Sequence, residues 1–382
     1  MSQFLIPCQV YTGKGALNEA AEAISKYGRK ALIVTGKHIG KSSMMDALKN
    51  MLDKKNMDYT VFDGITGEPT DEMIAAGSNQ YIDCNCDMLI GIGGGSPIDS
   101  AKAIAAVVAS GKTIMEYASS DNDCIIPPLI AIPTTAGTGS EATKFTVITD
   151  TVNDVKRLIK GVELIPKVAV IDYEYTMDMP RSITASTGMD ALTHAIEAYT
   201  SKKASLLTDT YAVSAVKRIF KYLPVAYKNG YDAEAREQMS LAAYEAGVCI
   251  NNSSVTIVHG MSRPIGALFH IPHGMSNALL IKDCLAFAAE GATERFAKLS
   301  REVGIANDTD QDQNASDNLI EEIEKLIKTV EIPSMEAYGI DKEEYLSNIS
   351  KMAVDAVASG SPSNTIRDVS PEDCIEIYRK AY

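Results

Sequence analysis

Five short apolar runs alternate with helical segments over the first half of the chain, and this alternation limits the folds open to it. The runs, all rich in valine, isoleucine or leucine, are KALIVTG (30–36), YTVFDGI (59–65), DMLIGIGGG (87–95), PLIAIPTT (128–135) and KVAVID (167–172). Each predicts a strand buried on both faces, whereas residues 70–84 and 97–109 predict helices. Strands joined by helical crossovers form a parallel sheet. We therefore predict an α/β domain with a Rossmann-like parallel sheet.

The second half of the chain has a different periodicity, in which apolar residues recur at helical spacing. In NASDNLIEEIEKLIKTV (314–330), the 3.6-residue period is followed by Leu319, Ile320, Ile323, Leu326, Ile327 and Val330. In SPEDCIEIYRKAY (370–382), Ser370 suits a helix N-cap, Pro371 the first helical position and Asp373 the capping box. We predict an α/β domain over residues 1–180 and an all-α domain over residues 181–382.

Composition and charge exclude several classes of protein. The net charge of −14 disfavours binding to a phosphate backbone, which requires clustered lysine and arginine. No run approaches the roughly 18 consecutive apolar residues of a membrane span, and the N-terminus lacks a signal-peptide pattern. The seven cysteines include no C-x-x-C pair, which argues against a disulfide framework or a thiolate zinc site. We expect a cytoplasmic protein that binds neither nucleic acid nor membrane.

A glycine-rich turn follows the third predicted strand and leads into an alanine-rich helix. The glycines at 93–95 let the backbone approach a ligand closely, and the free amides at the helix N-terminus favour an anion. Ser96 is predicted to cap this helix, with Pro97 at its first position. Gly91, Gly93 and Ser96 fall where a dinucleotide fingerprint places its glycines, so the fingerprint is broken at its last position. The turn alone fits either a pyrophosphate site or a plain tight turn.

A second turn of the same type follows the next predicted strand. PTTAGTGSEAT (133–143) offers hydroxyl groups at Thr134, Thr135 and Thr138 that can bind a ribose or a phosphate. Two such turns on neighbouring parallel strands face one crevice at the carboxyl edge of the sheet. Together the two turns predict dinucleotide binding.

Three of the five histidines of the chain, His259, His270 and His273, lie within fifteen residues of one another. Upstream, Asp190 and His194 are four apart on a predicted helix and share one face. Taken alone, this pair also fits a surface carboxylate and a structural histidine. Three imidazoles and one carboxylate, from Asp190, His194, His259 and His273, form a ligand set suited to Fe(II), Zn(II) or another first-row divalent ion. The sequence therefore predicts a metal site beside a cofactor.

Prolines and glycines in the histidine-rich stretch are predicted to keep it from forming one regular helix. These residues are Pro264, Gly266, Pro272 and Gly274. The break lets two histidines fourteen residues apart turn back to the same ion. An ion that accepts five or six ligands keeps positions open for a substrate oxygen.

Four motifs resemble those of the iron-dependent (group III) alcohol dehydrogenases: GGGSPIDSAKAIA, PTTAGTGSEAT, GMDALTHAIEAY and HGMSRPIGALFHIPHGMSNA. The resemblance spans nearly the whole chain. It implies an N-terminal dinucleotide-binding domain, an all-helical C-terminal domain and an iron in the cleft between them. It also implies hydride transfer between NAD(P)(H) and a small primary alcohol or aldehyde, and assembly into a homodimer or a larger homo-oligomer. The iron ligands that it implies are Asp190, His194, His259 and His273.

The resemblance further implies which residues contact the cofactor. Those of the pyrophosphate loop are Gly94, Gly95, Ser96 and Asp99; those of the second turn are Thr134, Thr135 and Thr138; those lining the nicotinamide side are Thr143, Phe145 and Lys156. Arg263 stands where some relatives carry a further histidine near the substrate. His270 is then the candidate for catalytic proton exchange, with a supporting or structural role as the alternative.

The turn after the first predicted strand bears on the choice between NAD(H) and NADP(H). Many NAD-using relatives have an acidic residue there, which binds the ribose hydroxyls and repels a 2'-phosphate. This chain has Gly36 at that place, with Lys37, Lys41, Ser42 and Ser43 nearby. We therefore predict a preference for NADP(H) over NAD(H). The alternative is that both lysines are merely solvated and both cofactors bind.

Two other functions are considered beside an alcohol dehydrogenase. A metal-dependent lyase resembling dehydroquinate synthase, which uses NAD transiently, requires more arginine and lysine near the metal than this sequence has. A non-catalytic metal-binding or scaffold protein predicts no cofactor binding. No residue distinguishes one small alcohol or aldehyde substrate from another.

Overall fold

The computed structural model describes residues 3–120, 124–153 and 155–382. Over these residues the chain divides into two compact units, Met1–Asp178 and Met179–Tyr382. The strands, all in the first unit, are β1 (Gln9–Thr12), β2 (Lys30–Val34), β3 (Asp58–Phe62), β4 (Met88–Gly93), β5 (Leu129–Pro133), β6 (Phe145–Asp150), β7 (Val155–Lys160) and β8 (Val168–Ile171). The helices of this unit are α1 (Ala16–Ile24), α2 (Ser43–Lys54), α3 (Asp71–Asp83), α4 (Gly95–Ser110) and α5 (Ile114–Ala118).

Among the described residues, six strands form one parallel sheet in the order β1-β8-β5-β4-β2-β3. The predicted parallel α/β fold is therefore confirmed, and each of the five predicted strands is present. Helices α1 and α2 pack on one face of the sheet, whereas α3, α4 and α5 pack on the other. Because helices cover both faces, the carboxyl edge of the sheet is where its loops can meet a ligand.

Four strands differ from the prediction. The strand β3 is not buried on both faces, because it is an edge strand and its residues are partly or fully exposed. The strand β1 was not predicted; it is a four-residue strand at the opposite edge, too short for a clear apolar run. The strands β6 and β7, also not predicted, form an antiparallel hairpin. In β6 the residues Thr146, Ile148 and Asp150 alternate inward, so a period of two was the available signal.

The second unit is helical, as predicted. Its helices are α6 (Arg181–Tyr199), α7 (Leu206–Lys228), α8 (Ala233–Asn252), α9 (Ile257–Leu268), α10 (His273–Glu290), α11 (Thr293–Glu302), α12 (Asp312–Thr329), α13 (Met335–Tyr338), α14 (Lys342–Ala358) and α15 (Pro371–Ala381). The capping box predicted at Ser370 and Asp373 is confirmed at the start of α15. The buried stripe of α12 contains Leu319, Ile323 and Leu326. Within the described part of the chain, no helix combines the length and the hydropathy that a bilayer crossing requires.

Candidate metal and cofactor sites

The helix α6 carries Asp190 and His194 into the interior of the helical unit. Nearly every residue from Thr184 to Tyr199 is buried, so this helix is enclosed on all sides rather than along one stripe. Asp190 is 1% exposed and His194 is 5% exposed. Because residues four apart lie one above the other on a helix, both side chains point the same way.

The histidine-rich stretch forms two helices, α9 and α10, separated by residues 269–272. The prediction that this stretch does not form one regular helix is confirmed. The predicted role of Pro264 and Gly266 is wrong, because both lie inside α9 and do not interrupt it. The chain turns at His270, whose φ of 53° is left-handed, and Pro272 then precedes the first residue of α10. A residue in this conformation ends a helix by turning the chain away from its axis. His259 lies in the first turn of α9, and His273 is the first residue of α10.

The structure brings the four predicted ligand side chains together. One candidate ligand atom from each of Asp190, His194, His259 and His273 lies within 4.8 Å of the others. The Asp190 Oδ1 atom is 3.8 Å from Nε2 of His194, 3.8 Å from Nε2 of His259 and 3.7 Å from Nε2 of His273. Ligands about 2.1 Å from a shared ion lie roughly 3 to 4.2 Å apart, so these separations fit a divalent ion. The nitrogen and oxygen donor set fits iron or zinc.

Two groups of this cluster have pKa values shifted toward the state in which each of them binds a metal. Burial acts to raise the pKa of Asp190, but the surrounding histidines and an amide hydrogen bond outweigh it and lower the pKa below its usual value. Burial lowers the pKa of His259 well below its usual value, and the neighbouring imidazoles lower it further. An ionised Asp190 and a neutral His259 are the forms in which these two side chains bind a divalent cation.

Two polar side chains that the sequence analysis missed contact this cluster. Asn277 Nδ2 donates a 2.7 Å hydrogen bond to Asp190 Oδ1 and lies 3.1 Å from His259 Nε2. Glu197 Oε2 lies 2.5 Å from His259 Nδ1. Burial raises the pKa of Glu197, while hydrogen bonds from Thr256 and from backbone amides oppose the rise. Helical spacing was the available signal, since Glu197 is seven residues after Asp190 and Asn277 is four after His273.

Two further residues of the histidine-rich stretch occupy different surroundings. Arg263 lies one turn beyond His259, and its Nη1 donates a 2.9 Å hydrogen bond to Ser361 Oγ. Burial lowers the pKa of Arg263 below its usual value. His270 is exposed in the turn between α9 and α10, three residues before His273. His270 is therefore in contact with solvent and close in sequence to the candidate ligand His273.

In the first unit, the glycine-rich turn joins β4 to α4. The helix begins at Gly95 with Gly94 as its N-cap, so the prediction that Ser96 caps it is wrong. The backbone of Gly94 is extended and the helix starts directly after it, which leaves the amides of Gly95 and Ser96 at the open N-terminus. Gly93 has a φ of 147°, and an added Cβ would lie 2.6 Å from Cγ of Pro97, so only glycine fits here.

The two predicted cofactor turns lie against each other at the ends of the neighbouring strands β4 and β5. A Cβ built on Gly94 would lie 3.4 Å from Thr135 Cγ2, and one built on Gly95 would lie 2.9 Å from Thr138 Cγ2. The amide of Thr134 donates a 2.8 Å hydrogen bond to the carbonyl of Gly93. Small residues in one turn therefore make room for the threonines of the other.

A buried lysine, which the sequence analysis missed, holds the second turn in place. Lys102 Nζ donates hydrogen bonds to the carbonyl of Ser140 (2.7 Å), to Thr143 Oγ1 (2.9 Å) and to the carbonyl of Phe145 (2.8 Å). Burial lowers the pKa of Lys102 to about 8. Asp99 accepts a 2.5 Å hydrogen bond from Ser140 Oγ and another from a backbone amide of β6. Asp99 and Thr143, both predicted cofactor contacts, thus also support the turn from within the domain.

The remaining predicted cofactor residues lie on the hairpin and after β2. Lys156 Nζ, on β7, lies 2.6 Å from Glu68 Oε2, so its charge is paired. A Cβ built on Gly36 would lie 2.9 Å from the carbonyl oxygen of Ile65, so no acidic side chain fits at this position without a backbone shift. Lys37 and Lys41 are exposed beside it.

An α/β domain of the nucleotide-binding type, together with a buried aspartate–histidine cluster, is typical of metal-dependent dehydrogenases. Comparison with known proteins then identifies the family. The sequence profile described as iron-containing alcohol dehydrogenase matches residues 7–173, and the C-terminal profile of the same family matches residues 184–382. The chain belongs to the iron-containing alcohol dehydrogenase family. It is therefore an oxidoreductase of the alcohol dehydrogenase type, in a family that uses iron and a nicotinamide cofactor.

The relatives named here align with this chain over nearly their full length. The chain is 36% identical to the NAD-dependent methanol dehydrogenase of Bacillus methanolicus, covering 97% of this chain and 98% of that protein. It is 32% identical to the NADPH-dependent butanol dehydrogenase of Clostridium saccharobutylicum, covering 100% and 98%. The crystal structure of a 1,3-propanediol oxidoreductase superposes with a TM-score of 0.96 at 31% identity, covering all of both chains.

Proposed function

We propose that this protein interconverts a small primary alcohol and its aldehyde, with NADP(H) as the preferred cofactor and Fe(II) as the metal. The metal ligands in this proposal are Asp190, His194, His259 and His273. The observation that carries it is the convergence of one ligand atom from each of these buried groups to within 4.8 Å. The proposal extends to a cytoplasmic homodimer or larger homo-oligomer, which the composition and the family resemblance predict.

The relatives support a small alcohol but leave the cofactor to be argued from this chain. By their names, they act on methanol, butanol and 1,3-propanediol. The first is NAD-dependent and the second is NADPH-dependent. Membership of the family therefore implies a nicotinamide cofactor but does not decide between NAD(H) and NADP(H).

The chemistry divides between the bound groups and the residues of the chain. When bound, the divalent ion supplies a Lewis acid that polarises the oxygen of the alcohol or aldehyde, and the nicotinamide takes or gives the hydride. The amides of Gly95 and Ser96 bind the pyrophosphate at the positive end of α4. Lys102 keeps the second turn in the shape that receives the cofactor. Asn277 holds the carboxylate of Asp190 in its ligand orientation through its 2.7 Å hydrogen bond.

The proposed NADP(H) preference rests on the charges around the turn after β2. Lys37 and Lys41 are exposed there, and Gly36 has no room for a repelling carboxylate. The helix α2 begins at Ser43, so its N-terminus adds a favourable site for a phosphate. Two exposed carboxylates oppose them: Asp63, whose Cβ lies 3.5 Å from a Cβ built on Gly40, and Asp46, in the first turn of α2. The proposed preference therefore requires Lys37 and Lys41 to lie closer to the 2'-phosphate than these two carboxylates do.

We expect kcat/KM with NADPH to exceed kcat/KM with NADH. Replacing Lys41 with alanine removes one charge-assisted phosphate contact and should lower the NADPH/NADH ratio about tenfold. The variant Asp63→Asn removes one of the two opposing charges and should raise the same ratio. Initial rates with both cofactors measure these effects, and the control is Lys49→Ala, which lies on α2 farther from the N-terminus of that helix. A large advantage for NADH in the wild type contradicts the proposed preference.

We also place His270 in proton exchange between the substrate oxygen and solvent. Asparagine tolerates the left-handed backbone at this position, so His270→Asn removes the imidazole while keeping the turn. General acid–base catalysis contributes on the order of 10²-fold or more, so kcat should fall by about that factor while iron content stays the same. An unchanged kcat assigns the proton exchange to water and a structural role to His270.

An aldehyde panel tests the proposed function as a whole. The purified chain is assayed anaerobically with added Fe(II) and NADPH against aldehydes of increasing length and polarity. One NADPH oxidised per aldehyde reduced is the expected result. Turnover without net cofactor oxidation would favour the lyase alternative, in which NAD is regenerated within each cycle.

A further inference from the structure

The helix α6 carries a second carboxylate, that of Glu197, on the same face as its two candidate ligands, Asp190 and His194. Glu197 is three residues after His194 and seven after Asp190, so the three side chains form one row along the helix. Its side chain is 0% exposed. A carboxylate with no access to water requires hydrogen-bond donors at both oxygens.

Both oxygens of Glu197 have such donors, all from the start of α9. Its Oε1 accepts a 2.8 Å hydrogen bond from Thr256 Oγ1, a 2.6 Å bond from the amide of Val258 and a 3.3 Å bond from the amide of His259. Its Oε2 lies 2.5 Å from Nδ1 of the same histidine. The carboxylate therefore occupies the N-terminus of α9, where the orphan amides and the helix dipole favour an anion.

Two neighbours decide which ring nitrogen of His259 carries the proton: the ion at Nε2 and the carboxylate of Glu197 at Nδ1. To bind an ion through Nε2, a neutral imidazole must keep its single proton on Nδ1. That proton needs an acceptor, and Glu197 Oε2 is the atom within reach. Because Oε1 is already occupied by three donors, the carboxylate cannot rotate away, and the ring plane of His259 is fixed with it.

We propose that Glu197 is a positioning residue for the metal, which holds His259 with its proton on Nδ1 and its Nε2 lone pair directed at the ion. It joins α6, which carries two ligands, to the start of α9, which carries a third. The inference rests on the ligand set of the proposed function. Residues of this kind change metal affinity by about 10- to 100-fold when replaced.

The variant Glu197→Gln tests the role because an amide cannot accept at both ends. If its oxygen faces Thr256 and the amides, its NH₂ group faces Nδ1 of His259 and forces the ring proton onto Nε2. If its oxygen faces Nδ1, its NH₂ group opposes the donors at the start of α9. We expect the Co(II) dissociation constant of the full chain, measured by competition with a chelating dye, to rise 10- to 100-fold. The visible Co(II) spectrum should also change.

A matched control is available in the same unit. Glu245 on α8 is largely buried and accepts a 2.9 Å hydrogen bond from Ser214 Oγ, away from the ligand cluster. The variant Glu245→Gln should leave the Co(II) affinity and spectrum as in the wild type. Equal Co(II) affinity and identical spectra in the Glu197 variant and the wild type would overturn the positioning role.

A second measurement needs no variant and applies even if Glu197→Gln does not fold. In the metal-free wild-type chain, ¹⁵N–¹H spectroscopy of the histidine rings should show the His259 proton on Nδ1, hydrogen-bonded to Glu197 and protected from exchange. A proton on Nε2 overturns the inference. Wild-type protein that binds neither Co(II) nor Zn(II) instead overturns the proposed ligand set, so the two failures are distinguishable.

Discussion

Alanine in place of His259 is expected to abolish turnover, with kcat/KM falling on the order of 10³-fold or more. The substitution removes one of four converging ligand atoms, and loss of a Lewis acid costs several kcal/mol of transition-state stabilisation. Bound iron should fall in parallel. The measurements are kcat/KM with NADPH and a responsive aldehyde, and the iron content of the anaerobically purified variant.

Truncation of a buried side chain also leaves a cavity, so a control must separate packing from metal loss. Ile265 is fully buried on the same helix, α9, and has no ligand atom. The variant Ile265→Ala should lower the unfolding temperature while keeping iron and activity. If His259→Ala retains turnover close to the wild-type rate, the metal role assigned to the cluster is wrong.

The second large effect is expected at the glycine-rich turn. Valine at position 95 would place its Cβ 2.9 Å from Thr138 Cγ2 and its methyl groups beside the amides that open α4. The turn must shift to relieve this contact, and displaced amides bind the pyrophosphate less well, so the KM for NADPH should rise by about tenfold or more. Metal content should not change, since the ligands belong to the other unit. Steady-state kinetics with varied NADPH measure the effect.

Gly67 offers the matched control for this substitution. It lies in the same unit, and a Cβ built on it meets nothing within 4 Å. The variant Gly67→Val should therefore keep the wild-type KM for NADPH. An unchanged KM in Gly95→Val would mean that the cofactor does not approach this turn.

The interior strands could be predicted from the sequence because burial on both faces leaves continuous apolar runs. The edge strand β1 and the hairpin β6–β7 could not be predicted in the same way. The strand β1 has only four residues and pairs on one side, so its burial leaves little trace in the sequence. The hairpin β6–β7 alternates inward and outward, and its outward face contains Val147 and Leu158, which blurs the alternation.

The candidate ligands could be predicted because aspartate and histidine at these spacings are rare without a purpose. Glu197 and Asn277, which support them, share their helical spacing, but spacing alone does not distinguish these two residues from others on the same helices. Because α6 is buried on all sides, no polar stripe distinguishes Glu197 from its neighbours. Lys102 reads as an ordinary surface residue in an alanine-rich helix, since lysine is almost never fully buried unless its charge is satisfied. Only the fold shows which donors and acceptors such side chains meet.

The four converging groups come from two distant parts of the chain, α6 in one and the neighbouring helices α9 and α10 in the other. An unfolded chain cannot present them to one ion, so any metal that binds there adds its binding free energy to the folded state alone. At a free metal concentration 100 times the dissociation constant, this amounts to about 2.7 kcal/mol. Molecules made during iron shortage would therefore unfold more readily, and cellular metal supply would govern how long the protein persists as well as how fast it works.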